Sequence, residues 1–341
     1  MYYLIGCNNM ASGGGEGADE ANDVIWRPPC SVEDLFPEVT GSLVSALNRP
    51  VAGAISNESL PRGSESFQLH SLATPNGQKV GILCEELAAA TAGKSSKRRS
   101  GGSRRKGRKR RRRPFSYDAH VVRIGRGEQF TSGFVGINPN SKIPAAIDLD
   151  PDSSDGTPVR IFESGAIVLY LAEKYDMFVP KDASARAECF SWMMWQMAGQ
   201  GPMTGNFGHF YVYAPSEKGP ARSYGAARYG MEVQRLCSVL DMHLSDGRKF
   251  LCGGEYTIAD MMCLPWFQQI RDAKGYKHPN TGVNAQMFLG IGPQKYPHAC
   301  KWADRLMKRP QVQRGMLVCR KYGKPWLHDD RFKHLSPKSK L

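Results

Sequence analysis

Short apolar runs separated by turn residues predict four β-strands. Each run is seven or eight residues long and lies between stretches rich in Gly, Pro, Asn, Asp and Ser, as is typical of strands in a small sheet. The runs are FQLHSLA, YDAHVVRI, KIPAAIDL and PVRIFES, at residues 67–73, 117–124, 142–149 and 158–164. Residues 1–65 show little periodicity and many turn residues, so we expect an irregular, partly disordered arm there.

Three helices fit between and after these strands. The first, at 78–90, places Val80, Leu83 and Leu87 on one face, and the sequence predicts a short helix at 128–137 and a third helix at 163–175. The resulting order is β-α-β-α-β-β-α, in which a crossover helix joins the first two strands and a hairpin joins the last two. This order is that of a thioredoxin-like α/β domain, which we assign to residues 66–180.

The pattern becomes helical after residue 180. Residues 184–199 and 223–244 repeat apolar positions at the helical period, and Thr257 with Asp260 fits a helix start closed by a capping box. A last amphipathic helix is predicted at 296–310, where proline ends it. We therefore predict an all-helical domain at 181–323, followed by a polar tail at 324–341.

The net charge of +14 is concentrated in one segment. Thirteen Lys and Arg lie between residues 94 and 113 without an acidic residue among them, so the rest of the chain carries +1. We expect a disordered basic insertion at 91–114, between the first helix and the second strand. The insertion could bind RNA or acidic partners through its charge. Such binding would be non-specific, because the insertion has no aromatic residues for base stacking. Alternatively, it could act as a nuclear localisation signal.

Cysteine usage and hydropathy bear on the compartment. The nine cysteines form no Cys-x-x-Cys pair and no cluster at zinc-ligand spacing, and no run approaches the roughly 18 apolar residues of a membrane span. We expect free thiols in a reducing compartment, with no metal and no membrane contact. The terminal Ser339-Lys340-Leu341 is a peroxisomal type of address, so we expect an import receptor as a partner and a peroxisome-type organelle, with a cytosolic or nuclear pool as the alternative.

Five segments together carry a resemblance to a known family. They are SLATPNGQKVGILCEEL, GEQFTSGFVGINPNSKIPA, VRIFESGAIVLYLAEKY, GHFYVYAP and YTIADM. The chain from about residue 48 to 323 resembles cytosolic glutathione transferases, and among them the Nu-class, YghU-like disulfide-bond reductases. The resemblance implies glutathione as co-substrate, a homodimer, and reduction of small or protein disulfides, with transferase or peroxidase side activity. The alternative is a non-catalytic transferase-like module that binds RNA or acidic partners through the insertion.

The start of the third predicted helix is a candidate binding site for the γ-glutamyl end of glutathione. The first backbone N–H groups of a helix have no partner within it, so they and the Ser164 hydroxyl can hold a carboxylate while Glu163 pairs with the neighbouring ammonium. The alternative is a plain helix cap. The resemblance further implies that Ile143-Pro144 is a cis-proline step whose backbone pairs with the extended tripeptide, rather than an ordinary trans proline.

The resemblance also implies contacts at the other parts of glutathione. Gln129, Lys142 and Arg228 match positions that contact the glycine end or a partner subunit's groups. Thr74 and Asn76 lie in the turn before the first helix, where donors would stabilise the sulfur as a thiolate, although either could simply cap that helix. His209, Tyr211 and Tyr213 are expected to form a wall for the second substrate, with a buried aromatic cluster as the alternative.

Overall fold

The computed structural model describes residues 49, 51–92, 114–151, 156–214 and 219–337 of the 341-residue chain. These residues belong to one structural unit, Gly41–Leu341. Three predicted segments lie outside the described residues: residues 93–113 of the basic insertion predicted at 91–114, residues 1–48 of the arm, and the terminal Ser339-Lys340-Leu341.

A four-stranded mixed sheet forms the first domain. Its strands are β1 (Phe67–Ser71), β2 (Tyr117–Val121), β3 (Ala145–Asp148) and β4 (Val159–Phe162), in the spatial order β2-β1-β3-β4. β1 and β2 are parallel, whereas β1 pairs with β3 and β3 with β4 in antiparallel orientation. A parallel pair requires a crossover, and helix α1 (Pro75–Thr91) supplies it. The predicted thioredoxin-like order is confirmed.

Helix α1 is largely buried within the described residues. Residues 80–87 are all buried, which includes the predicted apolar face but also Glu85 and Glu86, and Lys79 before them is buried as well. Helices contact α1 from several directions, because α3 (Ser164–Tyr175) and members of the helical domain pack against it. The helix is therefore a core element with charged residues inside it.

The segment between β2 and β3 differs in detail from the single helix predicted at 128–137. It consists of two 3-10 turns, Ile124–Arg126 and Glu128–Phe130, and the short helix α2 (Ser132–Val135). The described part of the arm pairs with it, since the N–H groups of Ser132 and Gly133 donate to the carbonyls of Ser56 and Glu58. These bonds occupy N–H groups that a helix start would otherwise leave free.

The second domain is helical. Its helices are α4 (Ala183–Trp195), α5 (Gly201–Gly208), α6 (Gly219–His243), α7 (Ile258–Arg271), α8 (Ala285–Leu289), α9 (Pro297–Met307) and α10 (Pro310–Gly315). Two π-turns, Gln196–Gln200 and His209–Tyr213, connect α4 to α5 and extend α5. The predicted capping box of Thr257 and Asp260 is present at the start of α7. Among the described residues, no helix is both long enough and apolar enough to cross a bilayer.

The C-terminal part of the chain corrects two predictions. The helix predicted at 296–310 is not the last one: α9 ends at Met307, and Pro310 occupies the first turn of a further helix, α10, where a proline needs no N–H partner. The predicted polar tail is packed as far as Leu335, since Trp326 is buried, Leu335 packs against the core, and the Lys324 ammonium donates to the Tyr117 carbonyl at 2.6 Å. The segment is mostly polar and charged, so its composition does not indicate that its single tryptophan, Trp326, packs against the core.

Candidate functional site

A cavity of about 510 Å³ lies where the sheet domain meets the helical domain. Its lining comes from the start of α1, the segment before β3, the start of α3, and from α5 and α7. Seven of the predicted site residues line it together: Asn76, Gln129, Lys142, Ile143, Pro144, Glu163 and Ser164. Residues far apart in the sequence thus share one cavity.

The start of α3 forms one end of the cavity. Ser164 is the first residue of this helix and is buried, so that its hydroxyl and the free N–H groups of the first turn lie at the cavity wall. Glu163 precedes it with a φ of 70°, a left-handed conformation that residues other than glycine rarely adopt. The partial positive charge of a helix start and a neighbouring carboxylate suit a ligand group that carries both a carboxylate and an ammonium.

Lys79 lies directly behind Ser164 and was not a predicted site residue. Its ammonium nitrogen is 3.3 Å from Ser164 Oγ and 3.6 Å from Met197 Sδ, and the side chain is only 1% exposed. Burial lowers the pKa of Lys79 to about 7. A lysine in a helix normally lies on the face exposed to solvent. The one sign in the sequence that Lys79 is buried is that apolar residues occur on every side of α1.

The segment before β3 forms the middle of the cavity. The Ile143-Pro144 peptide bond is cis, as the resemblance implies. The Asn138 side chain fixes this segment, because its Nδ2 donates to the Lys142 carbonyl at 2.6 Å. Burial lowers the pKa of Lys142, whose side chain also lines the cavity.

Two buried polar atoms near this segment have no hydrogen-bond partner among the described residues. They are Gln129 Oε1 and Ser141 Oγ, and both residues line the cavity. Buried polar groups in folded proteins are nearly always paired with protein, water or ligand. The cavity wall therefore offers an acceptor and a hydroxyl that a polar, peptide-like ligand can satisfy.

Asn76, at the start of α1, also lines the cavity. Its Oδ1 accepts a hydrogen bond from Trp266 Nε1 at 3.0 Å, which leaves the two N–H donors of Nδ2 for the cavity. Thr74 is the N-cap of α1, where its hydroxyl accepts from the Gly77 N–H at 3.5 Å, and it is not among the lining residues. Of the two predicted sulfur ligands, the structure thus places Asn76 at the cavity and Thr74 at the helix cap.

The residues of the predicted aromatic wall do not line this cavity, and their role toward a second substrate stays a prediction. Tyr211 is buried in the helical domain and donates its hydroxyl to the Val283 carbonyl at 3.0 Å, so it lines a second cavity instead. His209 and Tyr213, in the same π-turn, do not line the first cavity either. Periodicity could not place these side chains, because a π-turn shifts the direction in which successive residues point.

Trp266 and Gly205 face Asn76 from the helical domain instead. A Cβ atom at Gly205 would lie 3.4 Å from the Trp266 ring, so the glycine allows the indole to pack closely beside α5. One signal in the sequence could have indicated Trp266: it is an indole within an apolar helix, and its N–H requires a partner.

Comparison with known proteins identifies the family. The chain is 41% identical over 283 residues to the disulfide-bond oxidoreductase YghU of Escherichia coli, covering 83% of this chain and 85% of that protein. The chain belongs to the glutathione transferase superfamily, among the YghU-like disulfide-bond oxidoreductases. Residues 209–310 match the family model for the C-terminal domain of glutathione S-transferases. The chain is also 33% identical to E. coli disulfide-bond oxidoreductase YfcG, with 74% of this chain and 94% of YfcG covered.

Solved structures support the same assignment of this YghU-like chain. Glutathione transferase YghU from Streptococcus pneumoniae, complexed with glutathione, superposes with a TM-score of 0.69 at 36% identity, covering 86% of this chain and 98% of that one. A glutathione transferase from Burkholderia graminis, with two glutathione molecules bound per subunit, gives a TM-score of 0.59 at 34% identity, covering 75% of this chain and 90% of that one. Both relatives bind the ligand that the resemblance implies.

The remaining predicted residue, Arg228, does not line the cavity of the YghU-like chain. It is exposed on α6, with its guanidinium carbon 6.0 Å from the centre of the Tyr229 ring. Its predicted contact with a partner subunit's groups stays a prediction.

The described cysteines are all buried free thiols, and burial raises the pKa of Cys84 well above its usual range, so Cys84 is packed rather than reactive. Within the described residues, no cluster of His, Cys, Asp and Glu could hold a metal ion.

Proposed function

We propose that this protein is a glutathione-dependent disulfide-bond oxidoreductase that binds glutathione in the cavity between Ser164 and Asn76. One observation carries the proposal: a single cavity presents groups for each part of the tripeptide. The start of α3 suits the γ-glutamyl carboxylate, the backbone at Ile143-Pro144 suits the central cysteine, and Lys142 supplies a cation for the glycine carboxylate.

The reaction is thiol–disulfide exchange. A thiolate, rather than a thiol, is the attacking species, and N–H donors from Asn76 Nδ2 favour it by stabilising negative charge on the sulfur. The glutathione thiolate attacks one sulfur of the substrate disulfide, the S–S bond breaks, and the other sulfur leaves as a thiolate that takes up a proton. A second thiol then resolves the mixed disulfide. None of the described cysteines lines the cavity, so glutathione supplies the reacting sulfur.

Turnover of 2-hydroxyethyl disulfide by glutathione tests the proposal. We expect the intact chain to catalyse this reduction and Asn76→Ala to lower kcat/KM by roughly 10- to 100-fold, because the substitution removes a donor to the developing thiolate. Asn280→Ala is the matched control, since Asn280 is exposed and lies away from the cavity, and it should leave turnover unchanged.

The outcomes separate the function from the site. An intact chain that does not reduce disulfides would contradict the proposed function, and activity with an electrophile such as 1-chloro-2,4-dinitrobenzene alone would favour a conjugating transferase. Full turnover by Asn76→Ala would instead contradict the assignment of Asn76 as the sulfur ligand.

We also propose two properties that the described residues leave untested. A homodimer rests on the resemblance alone, and sedimentation of the intact chain checks it. Delivery to a peroxisome-type organelle rests on Ser339-Lys340-Leu341, and import of the chain with and without these three residues checks that address.

A further inference from the structure

The buried ammonium of Lys79 has few hydrogen-bond acceptors. An ammonium carries three N–H donors, and its hydrogen-bond partners among the described residues are the Ser164 hydroxyl at 3.3 Å and the Met197 thioether at 3.6 Å. A thioether is a weak acceptor. Burying a charge is costly unless it is paired, so this ammonium is poised to gain an anion.

The charged groups around Lys79 leave it incompletely neutralised. Glu163, before α3, is a carboxylate whose charge acts on Lys79. Cys263 on α7 is also close, but burial raises the pKa of its thiol well above the usual range, so it is neutral. The arginines on the α10 side are paired with the other charged residues of α1, as Arg309 with Glu86 and Arg314 with Glu85.

We propose that Lys79 is the positioning residue for the γ-glutamyl carboxylate, acting through Ser164. As an ammonium, Lys79 donates to Ser164 Oγ, so the single hydroxyl proton of Ser164 has only the weakly accepting Met197 Sδ at 3.7 Å and can be donated to the ligand in its place. As a neutral amine, Lys79 can accept that proton, and the hydroxyl turns away from the cavity. This inference rests on the proposed function and deepens it, because it names the group that makes carboxylate binding depend on protonation.

The sign of the pH dependence follows from this arrangement. Burial lowers the pKa of Lys79 in the free protein to about 7, and a bound carboxylate stabilises the ammonium and so raises that pKa. Binding is therefore strongest below pH 7 and weakens as pH rises. Between pH 6 and pH 8 the protonated fraction of Lys79 falls about tenfold, so the dissociation constant should rise about tenfold.

Calorimetric titration of the full chain with S-methylglutathione tests this inference, since the methyl group removes thiol ionisation from the measurement. We expect Kd to rise about tenfold from pH 6 to pH 8. The analogue in which 4-aminobutyrate replaces the γ-glutamyl residue lacks the carboxylate, and it should bind weakly with no such pH dependence. Lys79→Met should bind S-methylglutathione weakly and equally at both pH values. Lys301→Met, at an exposed lysine of α9, should match the unsubstituted chain.

Three outcomes decide the matter. Binding of S-methylglutathione to the intact chain with one Kd at pH 6 and pH 8 would overturn the role of Lys79 and leave the proposed function standing. Retention of the pH dependence in Lys79→Met would overturn it as well. Absence of binding by the intact chain at any pH would contradict the proposed function and this inference together. Should Lys79→Met fail to fold, the comparison of the two ligands on the intact chain still decides.

Discussion

Asn76 is oriented by a side chain 190 positions further along the sequence. The Trp266 indole N–H is a donor only, so it selects the oxygen of the Asn76 amide and directs the nitrogen toward the cavity. The sheet domain thus contributes Asn76, the proposed contact for the glutathione sulfur, and the helical domain determines which of its amide atoms faces the cavity. The hydrogen bond between Trp266 and Asn76 therefore joins the two domains at the cavity.

His70 on β1 carries a prediction for stability. It is buried and stacks on His120 at 4.8 Å, and burial together with the His120 charge lowers the pKa of His70 to about 3. The unfolded chain protonates this histidine near pH 6.5 while the folded chain does not, so stability falls as pH falls below 6.5. We expect His70 alone to lower the free energy of unfolding by about 2 kcal/mol at pH 5 relative to pH 7.5.

Urea unfolding at pH 5 and pH 7.5 measures this effect. The substitution His70→Leu removes the titrating group and should reduce the difference between the two pH values by about 2 kcal/mol. His328→Leu, at an exposed histidine, should leave the difference as it is. A His70→Leu protein with the unsubstituted pH dependence would show that other groups cause it.

Among single residues, the sequence indicated those at helix starts better than those whose roles depend on packing between distant helices. Asn76 and Ser164 were predicted because helix starts offer donors, which is a local property of the chain. Lys79 and Trp266 were missed because their roles depend on packing between helices that are distant in sequence. Tyr211 lines the second cavity rather than the first, because an aromatic residue can satisfy its hydroxyl in the core as readily as it can face a ligand.

At the scale of elements, α10 and α1 pack unusually closely. A Cβ atom at Gly315 would lie 2.3 Å from the Ile82 Cα, and one at Gly81 would lie 2.5 Å from the Gly315 carbonyl oxygen, so only glycine fits at the crossing. Beside this crossing, Arg314 Nε is 2.5 Å from Glu85 Oε2, and both side chains are buried. Tyr117 donates its hydroxyl to the other Glu85 oxygen at 2.7 Å.

This buried ion pair gives a second stability prediction. Arg314→Leu should cost about 3–5 kcal/mol, because it leaves the Glu85 carboxylate buried without its cation. The double variant Glu85→Leu/Arg314→Leu should recover much of that loss, since no charge remains buried. Lys333→Leu, which breaks the exposed pair with Asp330, should cost less than about 1 kcal/mol and serves as the control in the same urea titrations. An Arg314→Leu cost as small as that of the control would contradict the account of this pair.

The order of the elements was predictable, but their ends and connections were less so. The strands and the helix starts at Thr74 and Thr257 follow from alternation, turn residues and caps, all of which are local. The π-turns, α10 and the packed segment up to Leu335 depend on contacts between distant parts of the chain. Pro310 in particular is compatible with both the end and the start of a helix, and only packing against α1 decides between them.

At the scale of the whole molecule, charge and chemistry belong to different segments. The net charge of +14 falls to +1 without residues 94–113, so the basic insertion rather than the folded domains carries the case for RNA or acidic partners. The chain leaves α1 for this insertion at its last residues, whereas the cavity lies at its start. An α-helix of 17 residues spans about 25 Å, so the last residues of α1 lie about that far from the start of the helix, where Asn76 lines the cavity.

The most direct test of the central claim is a crystal structure of the intact chain with glutathione. Our account predicts the glutathione sulfur within about 3.5 Å of Asn76 Nδ2 and the γ-glutamyl carboxylate at Ser164 Oγ and the first N–H groups of α3. Glutathione bound elsewhere, or bound in the reverse direction with its γ-glutamyl end at Asn76, would contradict it.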